Sequence, residues 1–177
     1  VDTNTAELEF AGKRFPDLKF IAADPHELNL EGKFDYILIS DALGGWHDIQ
    51  RVLENIRPLT VEGTRVVITY YNYLWEWILR LGTCFGIRRP QLFQNWLPPE
   101  DITNLLYLSG FETIRTGSFL LLPKRLPPLT AFCNYFLSLL PGLRLFNLIN
   151  LVIARPAQSP RRDGDFRVSV IVPCLNE

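Results

Sequence analysis

The sequence predicts an α/β fold: a mostly parallel sheet with helices on both faces and an antiparallel last strand. Three observations carry this. Two short apolar runs, Asp35 to Ser40 (DYILIS) and Thr64 to Tyr70 (TRVVITY), have the length and composition of buried strands. A helix-period stretch lies between them, with Ile49, Val52, Leu53 and Ile56 at i, i+3, i+4 and i+7. Turn residues separate the segments, and strand, helix and strand alternating at short spacing is the mark of crossover units and parallel pairing.

Each element follows in order. Asn4 can cap a helix running to Phe15, with Leu8, Ala11 and Phe15 on one face, and Pro16-Asp17 breaks it. Lys19 to Ala23 reads as a short buried strand closed by the turn Asp24-Pro25. After DYILIS, Gly44-Gly45 makes a loop, Asp48 caps the next helix and Pro58 ends it. Glu62-Gly63 turns the chain into TRVVITY, and an aromatic stretch, Tyr70 to Trp77, follows. Pro98-Pro99-Glu100-Asp101 is a strong helix start, Ile102, Leu105 and Leu106 form its inner face, and Gly110 terminates it. Two more strands are expected, Phe111 to Leu122 and Leu148 to Arg155, around a Pro-rich apolar insertion, Pro123 to Phe146. Residues 156–166 (PAQSPRRDGDF) are polar, charged and without apolar period, which is linker chemistry, and Arg167 to Pro173 (RVSVIVP) opens a new strand.

Composition narrows the function. With 18 Lys plus Arg against 19 Asp plus Glu, the chain lacks the basic excess that nucleic-acid binding requires, so no nucleic-acid partner is expected. Cys84, Cys133 and Cys174 fit neither a metal spacing nor a disulfide framework and read as free thiols in a reducing cytoplasm. Leu129 to Ala154 is strongly apolar, but Asn134, Pro141, Gly142 and Arg144 interrupt it short of the ~20 residues a spanning helix needs. A peripheral contact with a membrane surface, or with a lipid-like acceptor, stays open. The chain has no methionine and starts at Val1-Asp2, while Leu175-Asn176-Glu177 follows directly on an apolar strand. Both ends therefore read as cuts through a longer protein.

Ligands of open parallel sheets bind beyond the carboxyl ends of the strands. Asp2, Asp24 and Asp41 are all expected there. A carboxylate at one strand end can accept both hydroxyls of a ribose, and one at the neighbouring strand end can orient an adenine amino group. Strand-end aspartates are also ordinary turn formers, and the residues alone leave both readings open. His47, in the loop after Asp41, has the chemistry of a general base for a hydroxyl proton, or of a loop histidine with a local bond. Tyr70, Tyr71 and Trp96 gather where an acceptor would sit and can stack on a sugar face, or simply pack.

Taken together, the run Asp2 … Phe15-Pro16-Asp17-Leu18-Lys19-Phe20 … Asp24, then Phe34-Asp35-Tyr36-Ile37-Leu38-Ile39-Ser40-Asp41, resembles the class I methyltransferases that use S-adenosylmethionine. Glu62-Gly63-Thr64-Arg65-Val66-Val67-Ile68 is similar to that family's "pGG-r-l-v-i" strand. Gly110-Phe111-Glu112 resembles its "aGF" turn, and Val152-Ile153-Ala154-Arg155 its final antiparallel strand. The resemblance covers residues 1–156 and implies a Rossmann-like domain with S-adenosylmethionine as cofactor. It implies that Asp2 holds the ribose hydroxyls and Asp24 the adenine, while Ser40 and Asp41 face the methionine moiety or the acceptor. The family's first strand and its Gly-x-Gly-x-Gly turn would stand just before Val1, so the domain is expected to be incomplete there. Gly44-Gly45 departs from the Glu-His pair of many relatives.

The tail, Val168-Ser169-Val170-Ile171-Val172-Pro173-Cys174-Leu175-Asn176-Glu177, resembles the opening strand of family 2 glycosyltransferases. By that resemblance Pro173, Cys174 and Glu177 would touch the base of a nucleotide sugar, with the divalent metal site further on. The organisation expected is thus a methyltransferase domain at 1–156, a linker at 157–166 and the first strand of a glycosyltransferase at 167–177. Such a pairing implies methylation of a hydroxyl on a sugar, lipid-linked sugar or similar small acceptor in bacterial surface-polysaccharide or glycolipid synthesis. Two alternatives stand beside it. One is a catalytically inactive methyltransferase-like scaffold. The other is a nicotinamide-dependent dehydrogenase or epimerase, against which the absence of lysine four residues after Tyr70 to Tyr73 counts. The sequence does not name an oligomeric state.

Overall fold

A computed structural model of the chain describes residues 1–86, 94–123 and 128–157. The expected tail strand, with Pro173, Cys174 and Glu177, and the linker beyond its first residue lie outside the described residues.

The longest strand, β2 (Thr60–Tyr71), lies at the centre of a four-stranded sheet of order β1-β2-β4-β3, with β1 (Phe34–Ser40), β3 (Phe111–Phe119) and β4 (Ile149–Pro156). β1 runs parallel to β2, and β4 is antiparallel to both β2 and β3. Three strands therefore point one way and only the last is reversed, as the sequence predicts. The turn expected at Glu62-Gly63 is present inside β2 as a register shift. Thr60 pairs with Phe34 and Arg65 with Tyr36, and Thr64 Oγ1 accepts from the Val61 N–H (2.8 Å) while donating to the Phe34 carbonyl (2.6 Å).

One face of the sheet is dry. Helix α2 (Ile49–Ile56) buries Ile49, Val52, Leu53 and Ile56, the four residues of its apolar stripe, and the Asp48 carboxylate caps it by accepting from the Arg51 N–H at 2.9 Å. Helix α4 (Pro99–Leu108) adds Ile102 and Leu106. Both pack on Ile39, Val66, Ile68, Val152 and Ala154, the inward residues of β1, β2 and β4. Each such side chain taken out of water stabilises the fold by about 1.5–3 kcal/mol, before the entropy of ordering it. Gly110 ends α4 at φ +78°, where a Cβ would come to 3.4 Å from Arg57 Nε. Arg57 donates to the Gly110 and Ala157 carbonyls and lies over the Phe111 ring, tying α4, β3 and the end of β4 together.

Several expectations need correction. Lys19 to Ala23 forms no strand of its own but a single parallel bridge, Asp2 to Ala22, because only Asp2 runs alongside it. DYILIS is not covered on both faces: Ile39 is buried and Ile37 half-buried, but Tyr36 and Leu38 on the alternate side are exposed. Helix α1 (Thr5–Arg14) forms with Asn4 as its cap, yet buries no residue fully, and Phe15 is half exposed. The aromatic stretch after β2 becomes a helical turn and then α3 (Glu76–Cys84). The insertion contains α5 (Leu129–Tyr135), a 3₁₀ turn at Leu137–Leu139 and the short α6 (Pro141–Arg144). Cys84 and Cys133 are free thiols.

Candidate functional site

The one-rung bridge between Asp2 and Ala22 decides where the first two carboxylates go. The Asp2 N–H donates to the Ile21 carbonyl and the Asp2 carbonyl accepts from the Ala23 N–H, both at 3.2 Å. Asp2 and Asp24 therefore lie two residues apart across an isolated bridge outside the four-stranded sheet, and both are exposed. Each is also a turn former. Asp2 Oδ1 accepts from the Asn4 N–H at 2.9 Å, at the start of α1. Asp24 Oδ1 accepts from the His26 N–H and pairs with His26 Nδ1, both at 2.8 Å. The backbone bond from His26, then its ring, hold the Asp24 carboxyl below the usual carboxylate range.

His26 is a residue that sequence reasoning missed. Its Nε2 accepts from the Asp48 N–H at 3.3 Å, so the ring proton is assigned to Nδ1, facing Asp24. The Asn55 amide donates to the His26 carbonyl at 2.8 Å. The imidazole thus links the Asp24 carboxylate to the capped start of α2. Its signal was the Asp24-Pro25-His26 spacing, in which an aspartate accepts from the backbone two residues on.

At the end of β1, Asp41 holds a left-handed backbone, φ +52°, a region that non-glycine residues enter chiefly as Asn or Asp. Its N–H donates to the Thr69 carbonyl at 2.9 Å, and Thr69 Oγ1 lies 3.3 Å from Asp41 Oδ1 and 3.4 Å from Ser40 Oγ. Thr69, unremarked in the sequence, joins the two expected residues of that strand end across β1 and β2.

Asp41 also lines a narrow cleft with Leu43, Gly44, Tyr70, Tyr71 and Asn95, whose internal volume, about 10 Å³, admits no more than a water. A strap, residues 94–97, closes it. The Asn95 N–H donates to the Gly44 carbonyl and its side-chain amide to the Trp46 carbonyl, each at 2.7 Å. A Cβ on Gly44 would meet Gln94 Cγ at 3.3 Å and the Asn95 carbonyl at 3.6 Å. The close approach of the strap is the physical reason for glycine at that position.

The aromatic candidates divide. Tyr71 is half-buried beside the cleft, whereas Tyr70 is a core residue, 4% exposed, cross-strand from Asn150. Burial, with the Glu100 charge adding to it and the Asn150 hydrogen bond opposing, pushes its phenol up to about 12. Trp96 is half-buried on the strap but does not line the cleft, and neither does His47, which is exposed between Trp46 and the cap residue Asp48. The structure therefore gathers Asp2, Asp24 and His26 at one place, and Ser40, Asp41, Thr69 and Tyr71 at another. It does not bring His47 or Trp96 to the cleft. Among the described residues no cluster of three or more His, Cys, Asp or Glu could hold a metal.

This architecture is a Rossmann-like fold similar to that of S-adenosylmethionine-dependent methyltransferases. A methyltransferase of that kind from Clostridium acetobutylicum aligns over 88% of this chain and 73% of its own, at 13% identity and TM-score 0.59. One from Mesorhizobium loti aligns over 86% and 77%, at 17% identity and TM-score 0.63. The N-methyltransferase NodS from Bradyrhizobium japonicum, in complex with S-adenosyl-L-homocysteine, aligns over 89% and 65%, at 11% identity and TM-score 0.56. No protein-family model matches the sequence, and no curated protein matches it.

Proposed function

We propose that the protein is an S-adenosylmethionine-dependent methyltransferase acting on a hydroxyl of a sugar, lipid-linked sugar or similar small acceptor, joined to a family 2 glycosyltransferase. The observation that carries the first part is the pair Asp2 and Asp24, brought near each other by a parallel bridge, in a chain whose fold is similar to that of methyltransferases. The glycosyltransferase part rests on the resemblance of residues 168–177 alone. The donor set suits the cofactor: two exposed carboxylates side by side accept hydrogen bonds, which is what ribose hydroxyls and an adenine amino group offer.

In this reading Asp2 accepts the ribose hydroxyls. Asp24 presents to the adenine the carboxylate oxygen that His26 does not use, and His26 keeps that carboxylate oriented and ionised. Ser40 and Asp41, bonded to Thr69, form the wall between cofactor and acceptor. When bound, S-adenosylmethionine supplies an electrophilic methyl group on a sulfonium. What the chain must add is alignment of the acceptor oxygen, for which Tyr71 beside the cleft is placed; His47, the general base expected from the sequence, stands away from that cleft.

The test is calorimetric titration of S-adenosylmethionine into the full-length protein and its Asp2→Ala variant. Loss of the paired carboxylate is expected to weaken binding by about 1–3 kcal/mol. Unchanged affinity would sink the ribose assignment. A wild-type protein that binds no cofactor would instead favour the inactive scaffold, the reading that the closed cleft over Gly44 supports.

A further inference from the structure

The insertion between β3 and β4 is folded inside out. Polar residues are among its most buried, with Leu148 beside them. Ser138 is 4% exposed and Asn147 0%, and Asn147 donates to Ser118 Oγ and to the Ser138 carbonyl. The Asn134 amide accepts from the Leu122 N–H at 2.8 Å and donates to the Leu122 carbonyl at 3.0 Å, pinning α5 to the chain leaving β3. Its outward residues are apolar: Tyr135 is 74% and Leu139 73% exposed, with Phe132, Phe136, Leu145 and Phe146 all more than half exposed. The rings of Phe132 and Phe136 pair at 5.8 Å on this outer side. Trp75 Nε1 donates to the Phe146 carbonyl at 2.7 Å, so the start of α3, with its exposed Trp77, adjoins the same patch. Monomeric soluble proteins rarely expose so many adjacent large apolar side chains.

Charge says what such a face meets. The first 76 residues hold 13 of the 19 acidic residues and only 7 basic ones. Residues 77–99 contain three basic residues and no acidic one, and residues 114–157 contain five basic and again no acidic one. Residues 128–146 themselves carry Arg144 and no carboxylate, while at the α3 edge Arg80 is paired with Glu76 at 2.6 Å. A second copy packed face to face would set Arg144 against Arg144, which opposes pairing. An anionic lipid surface accepts both features, aromatics and leucines at the acyl boundary and arginines at the headgroups. Among the described residues no helix is long and apolar enough to cross a membrane, so contact lies along the surface.

We propose that residues 128–146, with the start of α3, form a docking face for an anionic lipid bilayer. This does not rest on the methyl-transfer reading, and its test contains no cofactor. The protein is sedimented with vesicles of phosphatidylglycerol and phosphatidylcholine, and with vesicles of phosphatidylcholine alone. Binding is expected to the anionic vesicles, weaker to the neutral ones, and to fall as salt is raised from ~0.1 M to ~1 M, which cuts the screening length from about 10 Å to about 3 Å. The double substitution Phe136→Ser with Leu139→Ser is expected to weaken binding at least about ten-fold. Arg144→Gln, at an exposed position, should weaken it roughly five-fold. Circular dichroism confirms that each variant is folded. No binding of the wild type to anionic vesicles overturns the proposal, as does binding that both variants leave unchanged. A discrete dimer in size-exclusion chromatography that dissociates on Phe136→Ser, with no vesicle binding, assigns the face to a second copy instead.

Discussion

Helix α2 and the insertion α5–α6 are two short helical segments of one domain, and they are built in opposite senses. In α2 every apolar residue of the stripe is buried and the polar ones face water, with an aspartate cap at the start. In the insertion serine and asparagine are buried beside Leu148, while Phe132, Phe136, Leu139, Leu145 and Phe146 face out. The first pattern draws its stability from the hydrophobic effect. The second is held by amide and hydroxyl bonds to the ends of β3 and β4, so its apolar surface contributes nothing to the fold in water. Apolar composition alone therefore does not say where a segment's stability comes from.

That contrast can be broken at several points. Leu53→Ala, in the dry face, is expected to cost about 2–5 kcal/mol, read as a drop in urea midpoint with an unchanged slope. A loss under ~1 kcal/mol would mean the α2 face is less closely packed than described. Asp48→Ala removes the cap and should cost about 1 kcal/mol in thermal unfolding, whereas Asp48→Asn, which keeps a capping oxygen, should lose much less. Tyr70 sharpens the same side through pH. Its folded pKa near 12 lies above the ordinary value of 10, so the unfolded chain releases the phenolic proton first. Stability is therefore complete below pH 10 and declines as pH rises towards 12, by about 1.4 kcal/mol at pH 11. Tyr70→Phe should remove that decline, and a persisting slope would assign it to other groups. Phe136→Ser, on the outward face, should change stability by no more than about 0.5 kcal/mol despite removing a large aromatic ring. A loss of ~2 kcal/mol there would show that the insertion is an ordinary core element after all.

The same contrast explains what could be read in advance. Helix α2 was legible because period, cap and the Pro58 stop agree. β2, α4 and the reversed β4 were legible for similar reasons, and so was Asp41 as a strand-end residue. Helix α3 was not, since its cap position, Trp75, makes no side-chain capping bond and its aromatics carry no clear period. The insertion helices were hidden by Pro141-Gly142 and by an inverted pattern that no search for a buried stripe detects. Lys19 to Ala23 had the composition of a strand, but strand formation needs a partner, and a single rung beside Asp2 is all it has. At the site, the carboxylates could be named from their positions after strands. Thr69 and Asn95 could not, because each acts through a contact with a residue 28 to 51 positions away, while His26 left only the local signal of its spacing from Asp24.

The strap over Gly44 carries a kinetic consequence. The cleft beneath Gln94 and Asn95 has room for a water, and two bonds of 2.7 Å hold the strap to the loop that forms its floor. On the methyl-transfer reading, an acceptor reaching Asp41 and Tyr71 would first have to part those bonds. Its association rate should then level off at high concentration, at the rate of opening, instead of rising in proportion. Its apparent affinity should carry the cost of the closed state as well, reduced by the fraction of molecules open at any moment.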